Sequence, residues 1–300
     1  IYDLASAQII YVQVRKTLLT KLGLDLAVPT GLILVGRDQL TEIYTRMGYG
    51  VGDVARTLGI YVRQGRKRGI YALSGLPRLL LGEVIAHEWG HALHSQLAND
   101  SQEFVNAGYS IFTAEVASTF QEALLLDRML AGSDSREERI FFLGYALENL
   151  RGTFFRQTMF AEYELAIHEA VERGEALSGD RLTEMYGELL KRYHGHDQSV
   201  VVIDDPYTVE WAYIPHFYYE FYVYQYATSV AASALLSERV LAGEEGAIDD
   251  FLNLLRAGGS DYAYNLMKQA GVDLATAEPY RALLRRMEGI MDEIEALLES

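Results

Sequence analysis

The strongest constraint on this chain is an apolar, helix-forming run over residues 77–97 that carries Val84-Ile85-Ala86-His87-Glu88-Trp89-Gly90-His91-Ala92-Leu93-His94. Residues four apart share one face of a helix, so His87 and His91 offer two imidazoles to one metal ion, while Glu88 points about 100° round the axis. This H-E-x-x-H spacing suits zinc held by two histidines, with a carboxylate beside it as general base toward a water molecule. A chance match on an ordinary helix is the competing reading, and a third ligand elsewhere would decide between them.

The sequence restricts what that third ligand can be. It has no cysteine, so disulfides and thiolate sites are excluded and any zinc must be held by His and carboxylate. The extended version H-E-x-x-H-x-x-G-x-x-H fails, because His94 and Leu97 stand where Gly and His are required. His94 shares the ligand face but lies about 10 Å along the axis from His87, which suits packing or support better than ligation. Glu115, in Thr113-Ala114-Glu115-Val116-Ala117-Ser118-Thr119-Phe120, is the better candidate. A carboxylate in such an apolar helix is costly to bury unless paired or metal-bound. Glu122, seven residues on, shares that face and could support a ligating histidine. The alternative is a pair of solvated carboxylates on a helix flank.

The rest of the chain frames that site. A helix is expected over residues 4–22, a short buried strand over 31–36 and a helix over 39–47. Gly48-Tyr49-Gly50-Val51-Gly52 reads as a loop: it follows a helix and lacks the acidic residue of a dinucleotide fingerprint. Residues 58–63 and 70–74 read as two strands around the basic turn Arg63-Gln64-Gly65-Arg66-Lys67-Arg68. Residues 70–74, including Ala72, Leu73 and Ser74, are the expected edge that takes an extended peptide as an added strand. Beyond residue 99 the chain reads as helical, with runs over 114–130, 136–171 and 182–193 and a helix opening at Pro215 and running to about residue 242. His194 and His196 flank Gly195 in what reads as a polar loop.

That last long helix would carry a second constellation. His216, Tyr219, Tyr222 (or Val223) and Tyr226 recur at spacings that share a helical face, and His and Tyr are donors suited to a developing oxyanion. Aromatic core packing is the plainer reading of such a tyrosine stripe.

These residues together carry a resemblance. From about residue 87 to the C-terminus the chain resembles the oligoendopeptidase F branch of the thimet-oligopeptidase-like zinc metallopeptidases. The match rests on His87-Glu88-x-x-His91 with His94-Ser95, on residues 114–120, on Ile214-Pro215-His216-Phe217-Tyr218-Tyr219 with residues 221–228, and on Gly258-Gly259-Ser260. The resemblance implies one zinc on His87, His91 and Glu115, Glu88 as general base and acid, and His216 with one or two of Tyr219, Tyr222 and Tyr226 binding substrate and steadying the oxyanion. Members of that family carry large N-terminal helical regions that admit only short peptides. Residues 1–93, and above all Tyr71-Ala72-Leu73-Ser74-Gly75-Leu76-Pro77 with Ala86-His87-Glu88, instead resemble the peptidase domain of the LIM-domain growth-regulatory, ubiquitin-activated peptidases. A hybrid chain joined near residues 87–94 is therefore expected.

The expected fold is α+β and mostly α: a zincin-like module with a small mixed sheet in an N-terminal lobe (1–98), a helical lobe (99–300), and the active-site cleft between them. A net charge of −16 argues against a nucleic-acid partner, and no apolar run approaches the roughly 20 residues that span a bilayer. No signal peptide is read at Ile1, the cytoplasm is the expected location, and the missing initiator Met fits a start inside a longer chain. The expected activity is zinc-dependent endopeptidase action on oligopeptides or extended segments. The competing readings are a silent zincin-like scaffold or binding module, and a regulatory peptidase acting on a specific protein partner.

Overall fold

The computed structural model describes residues 4–23, 30–47, 58–64 and 67–299. The glycine-rich loop at 48–52 and the turn residues Gly65 and Arg66 lie outside the described residues. The chain divides into two compact units, residues 1–147 with 229–300, and residues 148–228. The boundary expected after residue 98 falls within the helix Arg78–Ser101, inside the first unit.

In the first unit, helix α1 (Leu4–Lys21) precedes strand β1 (Gly31–Val35), helix α2 (Arg37–Arg46) and the hairpin of β2 (Gly59–Gln64) and β3 (Lys67–Leu73). The described strands form a sheet in the order β1-β3-β2, with β1 parallel and β2 antiparallel to β3. Gln64 faces Lys67 in the register, so β2 and β3 pair antiparallel up to the two residues on either side of the basic knot's centre. Alternation sends Leu32, Ile70 and Ala72 into the main core and Val35, Ile60 and Val62 onto Leu40 of α2.

The expected substrate edge is a correction. Gly69 to Ala72 pair with β1 on one side and with β2 on the other, and Leu73 pairs with β1 while donating its N–H to the Leu58 carbonyl at 2.8 Å, so Ala72 and Leu73 lie in the central strand and offer no open edge. Ser74, just beyond, donates its N–H to the Val35 carbonyl at 2.8 Å. A strand pinned between two partners reads in sequence like any buried strand, which is why residue types alone misplace the edge.

The H-E-x-x-H run forms helix α3 (Arg78–Ser101), with Pro77 immediately before its first turn. Its inner face, Ile85, Ala86, Trp89 and Leu93, is fully buried with Val116, Ala117, Phe120 and Leu124 of helix α4 (Ile111–Ala131). Phe120 stacks on Phe251 of a later helix at 3.8 Å. The Gly258-Gly259 pair closes this core: Gly259 donates to the Asn106 carbonyl at 2.8 Å, and a Cβ on Gly259 would meet the Gly108 carbonyl oxygen at 2.3 Å.

The second unit has its own core of Met159, Phe160, Tyr163, Tyr186, Leu190, Ile214 and Val223. Helix α5 (Arg136–Leu150) passes through a π-helical turn (Arg151–Phe155) into α6 (Arg156–Glu172), so the run expected over 136–171 is continuous but interrupted by one wider turn. Helix α7 (Gly179–Tyr193) follows, capped by the Ser178 side chain, which accepts the Arg181 N–H at 3.2 Å. The helix expected to run unbroken from Pro215 is not one. A 3-10 segment (Pro215–Tyr218) ends in a turn, and helix α8 begins only at Tyr224 and runs to Leu241. Residues 136–147 of α5 and 229–241 of α8 belong to the first unit, as do helices α9 (Ala247–Ala257), α10 (Ala263–Gln269) and α11 (Glu278–Glu299).

Candidate active site

Two glycines bring the parts of the first unit's site together. Gly90, inside the motif, sits where a Cβ would lie 2.6 Å from the Ala117 carbonyl oxygen and from the Ser118 Cα, so α3 and α4 touch backbone to backbone there. That contact sets Glu115, a turn earlier on α4, beside the two histidines. Gly59 does the same for β2: a Cβ there would meet the Val84 side chain at 2.4 Å. Sequence reasoning passed over both, although a glycine within a helix costs about 1 kcal/mol against alanine and so marks a close approach.

The result is a compact donor set. His87 Nε2 lies 3.2 Å from His91 Nε2 and 3.5 Å from Glu115 Oε2, and His91 Nε2 lies 3.8 Å from the same carboxylate oxygen. Among the described residues these three form the group that could hold a metal ion, with ligand atoms all within 4.8 Å of one another. Donors around a tetrahedral zinc at about 2.0–2.1 Å stand roughly 3.3–3.5 Å apart, so this spacing and the His, His, carboxylate chemistry fit that ion. His87 Nδ1 bonds to Glu122 Oε1 at 2.6 Å, which turns Nε2 toward the shared point. Glu115 is steadied by the Ser118 hydroxyl, which donates to its Oε2 at 2.8 Å.

Burial and charge shape each group. Burial pulls the His87 imidazolium down, but the Glu122 hydrogen bond and the carboxylates of Glu115, Glu122 and Glu88 outweigh it and lift the group to about 10. Burial lowers His91 to about 4 and raises Glu88 to about 7. Burial also opposes ionisation of Glu115, yet His91, His87 and Ser118 hold its carboxyl below the usual range. Glu88 is 7% exposed, and its Oε2 accepts the Tyr61 N–H at 2.5 Å. That donor belongs to the outer side of β2, where the Gly59 carbonyl also accepts the Tyr44 hydroxyl at 2.8 Å. The backbone edge beside the site is therefore β2, and the residue sequence reasoning missed is Tyr61.

His94 packs, as expected. It is fully buried, stacks on Tyr109 at 3.5 Å, and burial drives it down to about 3, so it is neutral. The Tyr109 hydroxyl shares a 2.7 Å hydrogen bond with the Ser95 hydroxyl.

The second constellation lies in the second unit. His216 stacks on Tyr222 at 5.6 Å and 18°, and meets Tyr219 at 5.9 Å and Tyr226 at 6.5 Å edge-on. Tyr226 and Tyr222 share a hydroxyl hydrogen bond at 3.2 Å. The rings gather, but through a different backbone from the expected helix. In an unbroken helix Tyr222 would stand about 240° round the axis from His216. Here Glu220 and Phe221 take left-handed backbone, φ 51° and 58°, and the chain folds back on itself. Each such non-glycine residue costs on the order of 1–3 kcal/mol. Val223, the alternative to Tyr222, is buried in the unit's core. His194 and His196 serve their turn: His194 Nδ1 bonds the Leu190 carbonyl at 2.8 Å and His196 Nδ1 accepts the Ile203 N–H at 2.9 Å.

Comparison with known proteins bears on both constellations. The family model described as Peptidase family M3 matches residues 79–286. Oligopeptidase PepF of Bacillus subtilis is 39% identical over 254 residues, 81% of this chain and 38% of its own length. An oligoendopeptidase F homolog of Borreliella burgdorferi is 30% identical over 302 residues, 97% of this chain and 50% of its own. Among solved structures, oligoendopeptidase-F from Enterococcus faecium superposes with a TM-score of 0.66 at 27% identity, covering 99% of this chain and 53% of its own. The chain thus spans between about two-fifths and half the length of these relatives. The Borreliella burgdorferi and Enterococcus faecium matches run across the join expected near residues 87–94, so one family accounts for both sides of it and no hybrid is needed.

Proposed function

The chain belongs to peptidase family M3, and from that premise we propose that it carries the catalytic centre of a zinc-dependent endopeptidase that hydrolyses oligopeptides or extended peptide segments. The observation that carries the reading is the convergence of His87 Nε2, His91 Nε2 and Glu115 Oε2 on one point, with Glu88 on the next helical position. His87, His91 and Glu115 would hold the ion, which when bound supplies a Lewis acid that polarises the scissile carbonyl and acidifies water.

The chain's own groups do the proton work. Glu88, buried and lifted to about 7, is matched to taking a proton from water near neutral pH and passing it to the leaving amine. Glu122 fixes the His87 ring, and the Tyr61 N–H fixes the Glu88 carboxylate. The extended substrate backbone is assigned to the outer edge of β2, the edge that does not pair with β3, in place of the β3 residues Ala72 to Ser74. His216, with Tyr219, Tyr222 or Tyr226, is assigned to binding substrate and donating to the oxyanion, a role their shared ring cluster supports.

The test is turnover of an internally quenched fluorogenic peptide by the protein, by Glu88→Gln and by a chelated sample, with zinc content measured alongside. The reading expects turnover that chelation abolishes and zinc restores. It also expects Glu88→Gln to keep its zinc and lose on the order of 10²–10⁴ in kcat. Stoichiometric zinc without turnover would instead favour a silent scaffold.

A further inference from the structure

The left-handed pair Glu220 and Phe221 needs an external hold, since neither residue is glycine and side chains disfavour that backbone. Helix α6 supplies one. The Phe221 N–H donates to Glu164 Oε1 at 2.7 Å, and the Phe221 ring lies 4.6 Å from the ring of His168, one turn further along α6. Glu164 is 1% exposed, and its second oxygen, Oε2, is buried with no hydrogen-bond partner among the described residues. Burial pushes its carboxyl above the usual carboxylate range, against the pull of the Phe221 N–H and His168. A buried carboxyl half satisfied is a poor choice for stability alone, because an apolar side chain of similar size would avoid the desolvation.

What the hold achieves is visible on either side of the turn. His216 precedes it and Tyr222 follows it, and only the reversal at 220–221 lays these two rings face to face at 5.6 Å. We propose that Glu164 is a positioning residue of the peptidase site: by accepting the Phe221 N–H it keeps the left-handed turn, and with it the stacking of His216 on Tyr222. The inference rests on the substrate-binding role assigned above to His216 and the tyrosines. The role requires an acceptor oxygen at this place and no negative charge, so glutamine can fill it and leucine cannot. If the backbone strain is what Glu164 holds, glycine at 220 should lessen the need for it, since glycine takes positive φ without steric cost.

The experiment compares Glu164→Gln, Glu164→Leu and the double variant Glu164→Leu/Glu220→Gly in the full chain. It reads KM and kcat on the fluorogenic peptide, zinc content, thermal midpoint, and the His216 ring resonance, whose shift reports stacking on Tyr222. Glu164→Leu should raise KM about tenfold or more and move the His216 resonance, while zinc content and thermal midpoint stay near wild type. Glu164→Gln should retain the wild-type resonance and a KM within about twofold, and the double variant should recover part of the loss. A merely structural residue would lower the midpoint and leave the folded fraction with normal KM, which would overturn the proposal. So would an unmoved His216 resonance in Glu164→Leu, or a glutamine variant as damaged as the leucine one. Should Glu164→Leu not fold, Glu164→Ala takes its place and is read by the same criteria. If the wild-type protein cleaves no peptide, the functional reading fails separately, and the His216 resonance still decides the positioning role.

Discussion

At the scale of single residues, the site depends on Gly90 as much as on the residues that would touch the metal. Nothing at this position can move aside cheaply, because the atoms a Cβ would strike are the Ala117 carbonyl oxygen and the Ser118 Cα, both backbone. Gly90→Val should therefore force α3 and α4 apart, costing on the order of 1–3 kcal/mol of stability. It should also weaken zinc binding at least tenfold by drawing Glu115 away from His87 and His91. Urea denaturation and a competition titration with a zinc indicator read the two effects separately. A second prediction follows from His87, raised from its ordinary 6.5 to about 10 by its carboxylate neighbours. In the metal-free protein the protonated ring contributes stability that is fully present below 6.5 and is lost as pH rises through about 10. Ligation demands the neutral ring, so zinc displaces this proton and affinity should climb roughly tenfold per pH unit from neutrality toward 10. Titrations between pH 7 and 9 in buffers of different ionisation enthalpy check both the slope and the released proton.

At the scale of elements, the difference between β2 and β3 is sharp enough to test with proline. Ile70 lies in the strand paired on both sides, whereas Tyr61 donates its N–H to Glu88 and not to the ladder. Ile70→Pro should cost about 3 kcal/mol or more. Tyr61→Pro should leave the fold standing while freeing Glu88 and lowering kcat/KM on the fluorogenic peptide, as followed by circular dichroism and kinetics. Equal unfolding by both would refute the assignment of the edge. The same elements show what the sequence made legible. Helix α3, its two histidines and Glu88 follow from spacing alone, and Glu115 and Glu122 from the oddity of carboxylates in an apolar helix. The antiparallel hairpin followed from two strand-like runs about a basic turn. Strand order did not, because pairing is a long-range choice that alternation within one strand does not encode. The helix assigned from Pro215 failed for a related reason. The spacing of its aromatic residues mimicked helical periodicity, while the turn at Glu220 and Phe221 is held by Glu164, 57 residues before Phe221 in the chain. No local propensity announces a left-handed phenylalanine.

At the scale of the whole molecule, the two constellations fall in different compact units. The group that could hold a metal ion and its supports lie in the first, and the histidine and tyrosine cluster in the second. The M3 match over residues 79–286 takes in both. None of the described helices is long and apolar enough to cross a membrane. Each unit has its own apolar core, so a defect in the second can be separated from metal binding in the first. The central claim is that His87, His91 and Glu115 form one zinc site, and the most direct measurement is equilibrium zinc binding to the purified, chelator-stripped chain and to Glu115→Ala. The account predicts one tightly bound zinc per chain and a loss of at least about a hundredfold in affinity on removing the Glu115 carboxylate. A chain that binds no zinc, or a Glu115→Ala variant that binds it as tightly as the wild type, would contradict it.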